Sequence, residues 1–321
     1  MTNSRLIVAA RWRPAFGTYP ERPREWALCA APARKMSRRG AKVPPMTHID
    51  PLLLASARVS TFQGERGLTN ASGFFFERDG RLFLVTSRHV VIDEESQHFP
   101  DRLQVELHTD AQLLSLSTGF SLPLYQDGRS VWHQGRDGGG EIDVAALEVE
   151  RAALPDTAVI CPFTPQHLQT AFDDVQIGAA LLVVGFPLGF HDAVHHLPVV
   201  RHAVIASPYG IRFQGQGFFL TDARTHRGTS GAPVVMRGAA AADGDMPWRL
   251  LGVHSARMDM GDRDLVLDES LGLNCAWYAD ILMTLTEPVA EAPDAPEATT
   301  APATPAAPNV SLAPEAEPSA S

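Results

Sequence analysis

Short apolar runs separated by turn residues fill the middle of this 321-residue chain. Residues 71–87 read ASGFFFERDGRLFLVTS, in which two apolar runs flank Asp79-Gly80, a dipeptide typical of a two-residue hairpin turn. Further runs that predict strands lie at residues 103–108, 130–134, 143–149, 180–186, 199–207, 217–223, 232–238 and 249–256. Gly, Pro, Asn and Asp separate these runs at intervals of about ten to twenty residues, which is typical of a β-barrel or sandwich.

Helical periodicity is scarce, and its best example is AWYADILMTL at residues 276–285. The loop from Pro155 to about Gln176 divides the strands into two groups. The pattern therefore predicts an all-β domain over residues 46–285. Its N-terminal half covers about residues 55–155, its C-terminal half covers about residues 177–275, and a short helix follows at 276–285.

The two ends of the chain differ from this middle in charge and composition. Residues 1–45 carry ten Lys and Arg against two Glu, and residues 286–321 carry six acidic residues and no basic one. We expect disorder in the Pro/Ala/Glu-rich tail and in the basic N-terminal extension. A start of translation at Met46 and a targeting segment are alternatives for the extension. The whole chain has a net charge of −10, and its ends contribute +8 and −6, so the body (46–285) carries the remaining −12. An acidic body argues against nucleic acid as a partner.

The cysteines and the hydropathy bear on the compartment. Three cysteines, Cys29, Cys161 and Cys275, give no disulfide framework, although a Cys161–Cys275 pair remains open. No run is long enough for a transmembrane helix, and RLIVAARW near the N-terminus is interrupted by charge, unlike a signal peptide. We therefore expect a cytoplasmic protein without a membrane partner.

Ser230, in HRGTSGAPVV at residues 226–235, is a candidate nucleophile. Its small neighbours would let a peptide carbonyl approach the backbone, and the N–H groups of Gly228 and Ser230 could form an oxyanion hole. A plain turn between two strands is the alternative. The serine elbow of α/β-hydrolases is excluded, because Ala232 replaces its second glycine and Pro233 follows where a helix should begin.

A serine nucleophile needs a base and a carboxylate. His89 ends the apolar run LFLVTSRHVV, and Asp143 begins the strand DVAALEV. Alone, His89 would be a buried structural histidine more often than a base, and Asp137 or Glu141 could replace Asp143 as the carboxylate. The chain order His, Asp, Ser is that of the chymotrypsin-type enzymes.

Three segments in this order resemble the trypsin-like serine peptidases of the disulfide-free bacterial kind, such as the HtrA-type and glutamyl endopeptidases. LVTSRHVV resembles the segment around their histidine, IDVAAL the segment around their aspartate, and FLTDARTHRGTSGAPVV the segment around their serine. VVGFPLGF and LLGVHSA are similar to segments of the second barrel. The likeness covers about residues 55–285 and includes no PDZ domain. It implies two six-stranded antiparallel β-barrels and a triad of His89, Asp143 and Ser230.

The chain also departs from the family pattern. Val90 stands where secreted digestive enzymes have a cysteine, so their disulfide is absent. Thr229 precedes the serine in place of Asp or Asn, and Ala232 stands where glycine is commonest. None of these changes removes a catalytic atom, but the last two leave the oxyanion-hole geometry open.

The resemblance also implies a specificity pocket. Thr225 and His254 match the Thr and His with which glutamyl endopeptidases and some viral relatives bind Glu or Gln before the scissile bond. A hydroxyl and an imidazole N–H are good donors to such side chains. Arg224 could add charge, and Ser255 follows His254 in the same wall. A pocket for small apolar residues is the alternative.

A polar loop, GFHDAVHH, carries His191, His195 and His196. As metal ligands they would need another ligand at coordinating spacing, and Asp192 alone is weak evidence. The sequence therefore predicts a serine endopeptidase that acts on polypeptides without a metal or other cofactor. The rival interpretation is a trypsin-fold peptide-binding module that is catalytically silent or activated by a partner. The sequence does not indicate an oligomeric state.

Overall fold

A computed structural model describes residues 49–238, 246–258 and 271–288. The helices in these residues are α1 (Pro51–Ala55), α2 (Arg88–Val91) and α3 (Ile281–Leu285). The strands are β1 (Ser56–Gln63), β2 (Arg66–Arg78), β3 (Arg81–Thr86), β4 (Arg102–His108), β5 (Ser117–Pro123), β6 (Tyr125–Gln126), β7 (Arg129–Ser130), β8 (Trp132–Asp137), β9 (Gly140–Val149), β10 (Ala180–Gly185), β11 (Val199–Val204), β12 (Phe218–Thr221), β13 (Pro233–Arg237), β14 (Trp248–Arg257) and β15 (Asn274–Tyr278). Short 3-10 turns lie at Arg151–Ala153, Pro165–His167, Phe172–Asp174, Pro187–Gly189 and Phe213–Gly215.

The first sheet is antiparallel, in the order β5-β4-β1-β2-β3-β9-β8. Its two edges approach each other where Val131 N donates to Leu124 O at 3.0 Å, next to the small β6–β7 hairpin. The sheet thus curls into the first barrel. It has seven strands, one more than the six that the resemblance implied for each barrel.

The second sheet is antiparallel in the order β11-β10-β13-β14-β15-β12. The chain beyond β11 meets β12 at the Ile205–Thr221 bridge, and Ala206 N donates to Leu220 O at 2.9 Å. These contacts bring its edges together. The predicted all-β architecture of two antiparallel barrels is confirmed.

The β2–β3 hairpin turns at Asp79-Gly80, as predicted. Both residues have positive φ, 52° and 77°, and Arg78 pairs with Arg81. This combination is typical of a type I′ turn, whose twist matches that of the two strands. The turn sets the register that brings the end of β3 to the site described below.

The apolar run of Phe74, Phe75 and Phe76 does not alternate with polar residues, because β2 is buried on both faces. Phe75 packs inside the first barrel, whereas Phe74 and Phe76 pack with Val184 and Leu250 of the second sheet. Burying each such side chain stabilises the fold by about 1.5–3 kcal/mol. This shared core holds the two barrels together, with a groove between them.

The helix predicted over residues 276–285 is wrong in its first half. Ala276, Trp277 and Tyr278 belong to β15, which pairs with β12 on one side and β14 on the other. Backbone pairing with two strands and burial of the aromatic rings outweigh the local helical period. Only Ile281–Leu285 is helical.

Two predictions from the sequence, one on a disulfide and one on membrane-spanning helices, can be compared with the structure. No disulfide joins Cys161 to Cys275, and the Cys275 thiol lies 3.1 Å from the sulfur of Met258. None of the helices described is both long and apolar enough to cross a bilayer.

The expectations for residues 1–45 and for the tail 286–321 lie outside the described residues, apart from 286–288. The domain boundaries and the lack of a PDZ domain stay predictions.

Candidate active site

His89 lies where the first barrel opens toward the groove. Strand β3 ends at the buried Thr86, and the single turn α2 begins at Arg88. Val90 and Val91 are buried in the core of the first barrel. They fix the turn, so the His89 side chain stays 38% exposed.

Asp143, in β9, binds His89 through both carboxylate oxygens. Oδ1 accepts from the backbone N–H of His89 at 2.8 Å, and Oδ2 contacts Nδ1 of its ring at 2.7 Å. A carboxylate can only accept, so Nδ1 carries the proton and Nε2 is left with a lone pair. This is the tautomer that a general base requires.

The two alternative carboxylates pair elsewhere. Asp137 forms an ion pair with Arg212, and Glu141 lies 3.2 Å from Arg88. Of the three acidic residues considered from the sequence, Asp143 alone contacts His89 in the structure.

The environment of His89 raises its pKa above the ordinary value. Burial opposes charging of the ring, but the hydrogen bond and the negative charge of Asp143 together outweigh that effect. The ring is therefore a stronger base than a free histidine and can stabilise a proton that it receives.

Ser230 lies between β12 and β13 and lines the same groove as His89. Its hydroxyl donates to the carbonyl oxygen of Ser255 at 3.1 Å, and it makes no hydrogen bond to His89. The backbone around it is firmly held, since Ser72 N donates to Ser230 O at 2.9 Å. Rotation about the Cα–Cβ bond of Ser230 is the movement that would redirect the hydroxyl. Catalytic hydrogen bonds often tighten only when substrate binds.

Two glycines shape the loop around Ser230. Gly228 and Gly231 have φ of 89° and 85°, where only glycine is unstrained. A Cβ on Gly231 would lie 2.2 Å from the carbonyl oxygen of Ser72, and a Cβ on Gly228 would lie 2.8 Å from that of Phe186. In the part of the chain that is described, the N–H groups of Gly228 and Ser230 donate to no other group.

Thr229 and Ala232, the two departures from the family pattern, flank Ser230 and Gly231 in this loop. Both residues are buried, and Ala232 N donates to Thr229 O at 3.0 Å in a tight turn. Neither side chain lines the groove.

Ser72, which sequence reasoning missed, ties this loop to the first barrel. Its hydroxyl donates to Gly228 O at 2.8 Å and accepts from Phe186 N at 2.9 Å. Thr86 in turn donates to Ser72 O at 2.8 Å. In the sequence Ser72 is one small residue beside a phenylalanine run, so only the fold reveals its contacts.

We expect Ser72→Ala to slow reaction of Ser230 with an active-site probe by about tenfold to a hundredfold, because a small displacement of the loop misplaces the attacking group. The buried N–H of Phe186 and the half-buried carbonyl of Gly228 would lose their partner, at a cost of about 1–3 kcal/mol in the free energy of unfolding. Labelling rates and urea unfolding measure the two effects.

The control for Ser72→Ala is Ser60→Ala, since the Ser60 hydroxyl bonds to Asn70 in an exposed position. Unchanged labelling in a destabilised Ser72→Ala protein would show that the residue supports the fold alone.

The four residues predicted to line the specificity pocket differ in their burial and in their hydrogen-bond partners. Thr225 and His254 are buried, whereas Arg224 is exposed. The Thr225 hydroxyl donates at 2.5 Å to Asn274, a residue the sequence did not suggest. The Ser255 hydroxyl points to Asp143, donating to Oδ2 at 2.5 Å. Ser255 thereby supports the carboxylate that holds His89.

His254 is enclosed and neutral. Burial, helped by the nearby His89, lowers the pKa of His254 to about 3. Its Nδ1 is buried without a hydrogen-bond partner. Such an atom costs free energy until a partner reaches it.

Several solved structures have a similar chain path at low identity. The serine endoprotease of Yersinia pestis is 16% identical, with a TM-score of 0.43 over 72% of this chain and 61% of that chain. An inactivated protease paralogue of the scabies mite is 18% identical, with a TM-score of 0.45 over 74% of this chain and 94% of its own. The chain thus spans about three fifths of the Yersinia protein, and neither likeness bears on its activity.

A search of curated proteins gave no significant match. In contrast, the family model described as a trypsin-like peptidase domain matches residues 71–239, more than half of the 321 residues. This match confirms the family predicted from the sequence. The chain belongs to the trypsin-like peptidase family.

Proposed function

We propose that this chain is a serine endopeptidase in which Ser230, His89 and Asp143 form the catalytic triad. The observation that carries the proposal is the double contact of Asp143 with His89, because it leaves Nε2 of the imidazole as a base facing the groove that Ser230 lines. Family membership supports the same reaction class.

In the proposed mechanism, the Ser230 oxygen attacks the scissile carbonyl carbon while its proton passes to Nε2 of His89. The N–H groups of Gly228 and Ser230 bind the oxyanion, each contributing about a hundredfold to a thousandfold in rate. Collapse of the intermediate breaks the C–N bond, and His89 gives its proton to the leaving amine. A water molecule then attacks the acyl carbon while His89 takes its proton. The bond between that carbon and the Ser230 oxygen breaks, His89 returns the proton to this oxygen, and the carboxylic acid product leaves.

Asp143 and Ser255 hold the base during these steps. The carboxylate stabilises the imidazolium that forms twice in each cycle. The hydroxyl of Ser255 keeps the carboxylate in place by donating to the oxygen that also contacts Nδ1.

A silent peptide-binding module is the second candidate, and the orientation of Ser230 favours it. The Ser230 hydroxyl is bonded to Ser255 O instead of His89. A binding module would keep the groove but release no product. Incubation with unfolded casein and sequencing of new N-termini separates the two: the endopeptidase produces defined fragments that are absent with Ser230→Ala, whereas the module produces none.

We further propose a pocket for Gln or Glu before the scissile bond. His254 supports it, because its buried Nδ1 has no hydrogen-bond partner, whereas the Thr225 hydroxyl already donates to Asn274 and would have to turn to meet a substrate. A substrate side-chain oxygen could accept from this ring. An apolar side chain would leave it unsatisfied.

Because His254 is neutral, we expect Gln to be preferred to Glu by about tenfold in kcat/KM at neutral pH. An ionised carboxylate would lose its hydration beside a neutral ring. Matched peptides that differ only in Gln, Glu or Ala at this position provide the measurement. Thr225→Val should reduce the preference for Gln over Ala, and a clear preference for Ala or Val in the wild type would refute the pocket assignment.

A further inference from the structure

Glu106, His191 and His196, which we name the Glu106 cluster, form a group of potential ligands away from the triad. Glu106 lies on β4 of the first barrel, and the histidines lie on the loop between β10 and β11 of the second. All three residues are half-buried, and each offers one ligand atom within 4.8 Å of the others. The sequence could not predict this group, because Glu106 is remote in the chain.

The contact between His196 and Glu106 is close but not a hydrogen bond. His196 Nδ1 lies 2.9 Å from Glu106 Oε1, yet the nitrogen is buried without a hydrogen-bond partner of suitable geometry. A neutral ring that turned its lone pair toward a carboxylate would be repelled. A cation bound to one side of both atoms would accept the two lone pairs and remove that repulsion.

His191 has the hydrogen bonding typical of a metal ligand. Its Nδ1 contacts Gly189 O at 2.7 Å, so Nδ1 carries the proton and Nε2 is free to coordinate. Metal-binding histidines almost always donate their other ring N–H to a carbonyl or carboxylate in this way. The rings of His191 and His196 are stacked, with centroids 6.1 Å apart.

The Glu106 carboxylate is already oriented by its other contacts. Arg58 binds Oε2 at 2.7 Å, and Ser117 donates to Oε1 at 2.8 Å. These bonds leave the second lone pair of Oε1 toward His196. Arg58 also offsets part of the negative charge, so the histidines must supply much of the affinity for a cation.

The loop that carries the histidines is fixed to β4. His108 Nε2, on the same strand as Glu106, contacts His195 O at 2.7 Å. Asp192 closes the loop on itself, since His196 N donates to Asp192 O at 2.6 Å. The ligands are therefore held near one another before any ion binds, which lowers the entropic cost of binding.

We propose that the Glu106 cluster binds a Zn²⁺ ion that links the first barrel to the β10–β11 loop of the second. Two imidazole nitrogens and one carboxylate oxygen are a common protein ligand set for Zn²⁺, with a fourth position for water. Ca²⁺ and Mg²⁺ prefer sites built from oxygen ligands. The proposal of this site does not rest on the proposed peptidase activity.

Binding there would brace the loop next to Ser230. Phe186, at the start of the β10–β11 loop, donates its N–H to Ser72, and Leu188 N donates to Arg227 O at 2.6 Å. A bound ion therefore adds a cross-link close to the loop that carries Gly228. We expect Zn²⁺ to raise the melting temperature, because it binds the folded chain.

The test is a calorimetric titration of the chelator-treated full chain with Zn²⁺, together with thermal unfolding. We expect one saturable equivalent and a rise in melting temperature. His191→Ala, His196→Asn and Glu106→Gln should each weaken that binding by at least about tenfold. Asn is chosen at position 196 because His196 has a φ of 55°, which asparagine tolerates.

The matched control is His195→Ala, which removes the exposed histidine of the same loop that pairs with Asp192. We expect it to bind Zn²⁺ as the wild type does. Absence of a saturable equivalent in the wild type would leave only an ion pair between His196 and Glu106 and overturn the proposal. Equal loss in His195→Ala and His196→Asn, or equal binding of Mg²⁺, would overturn it as well. If a single variant fails to fold by circular dichroism, the other two ligand variants carry the test.

Discussion

Ser230→Ala is expected to reduce peptide hydrolysis by about a millionfold, to the level left by binding and the oxyanion hole. The substitution removes the attacking oxygen and changes little else, since the backbone contacts of Ser230 with Ser72 remain. Among the residues that the structure describes, the Ser230 hydroxyl has one hydrogen bond, a partly buried one to Ser255 O. The free energy of unfolding should therefore change little.

Release of new amino groups from an unfolded protein, normalised to folded enzyme, measures the effect of Ser230→Ala. Ser60→Ala serves as a serine control outside the groove and should keep wild-type activity. If Ser230→Ala cleaves as fast as the wild type, another residue is the nucleophile and the triad assignment fails.

Asp143→Asn is expected to lower kcat/KM by about ten-thousandfold. If the Asn amide presents its N–H group to Nδ1, the ring proton moves to Nε2 and the base is lost. If it presents its oxygen, the tautomer remains, but a neutral acceptor stabilises the charged ring less. Removal of the negative charge should also lower the pKa of His89, which Asp143 raises in the wild type. The base must be neutral to act, so wild-type activity should fall as pH drops through a pKa above the usual 6.5. In Asp143→Asn the remaining activity should persist to lower pH.

Glu141→Gln is the matched control for Asp143→Asn. Glu141 is an acid on the same strand, and its carboxylate pairs with Arg88 rather than His89. We expect a change of less than about threefold, because exposed ion pairs contribute little. Equal losses in the two variants, without a shift of the acid limb, would contradict the role given to Asp143.

The predictable part of the fold followed strong local signals. Asp79-Gly80 marked its hairpin because both residues adopt positive φ, and buried runs such as residues 180–186 formed strands at nearly the expected positions. Strands β1 and β5 were not predicted, because small and polar residues on their exposed faces dilute the apolar pattern. At β15 the helical period predicted a helix, but pairing with two neighbouring strands makes that segment a strand.

The residues of the site also fall into those that the sequence suggested and those that it did not. His89, Asp143 and Ser230 stand beside recognisable strand ends, so their order in the chain suggested them. Ser72 and Asn274 have no such signal, because their partners Gly228 and Thr225 lie far away in sequence. Contacts made between the two barrels can be read only once the chain is folded.

The central claim is that Ser230 is a nucleophile activated by His89, and a fluorophosphonate probe tests it most directly. Mass spectrometry of the labelled full chain should locate one adduct on Ser230, formed at a rate that falls with His89→Ala and vanishes with Ser230→Ala. A folded wild-type protein that stays unlabelled, or an adduct on another residue, would contradict it.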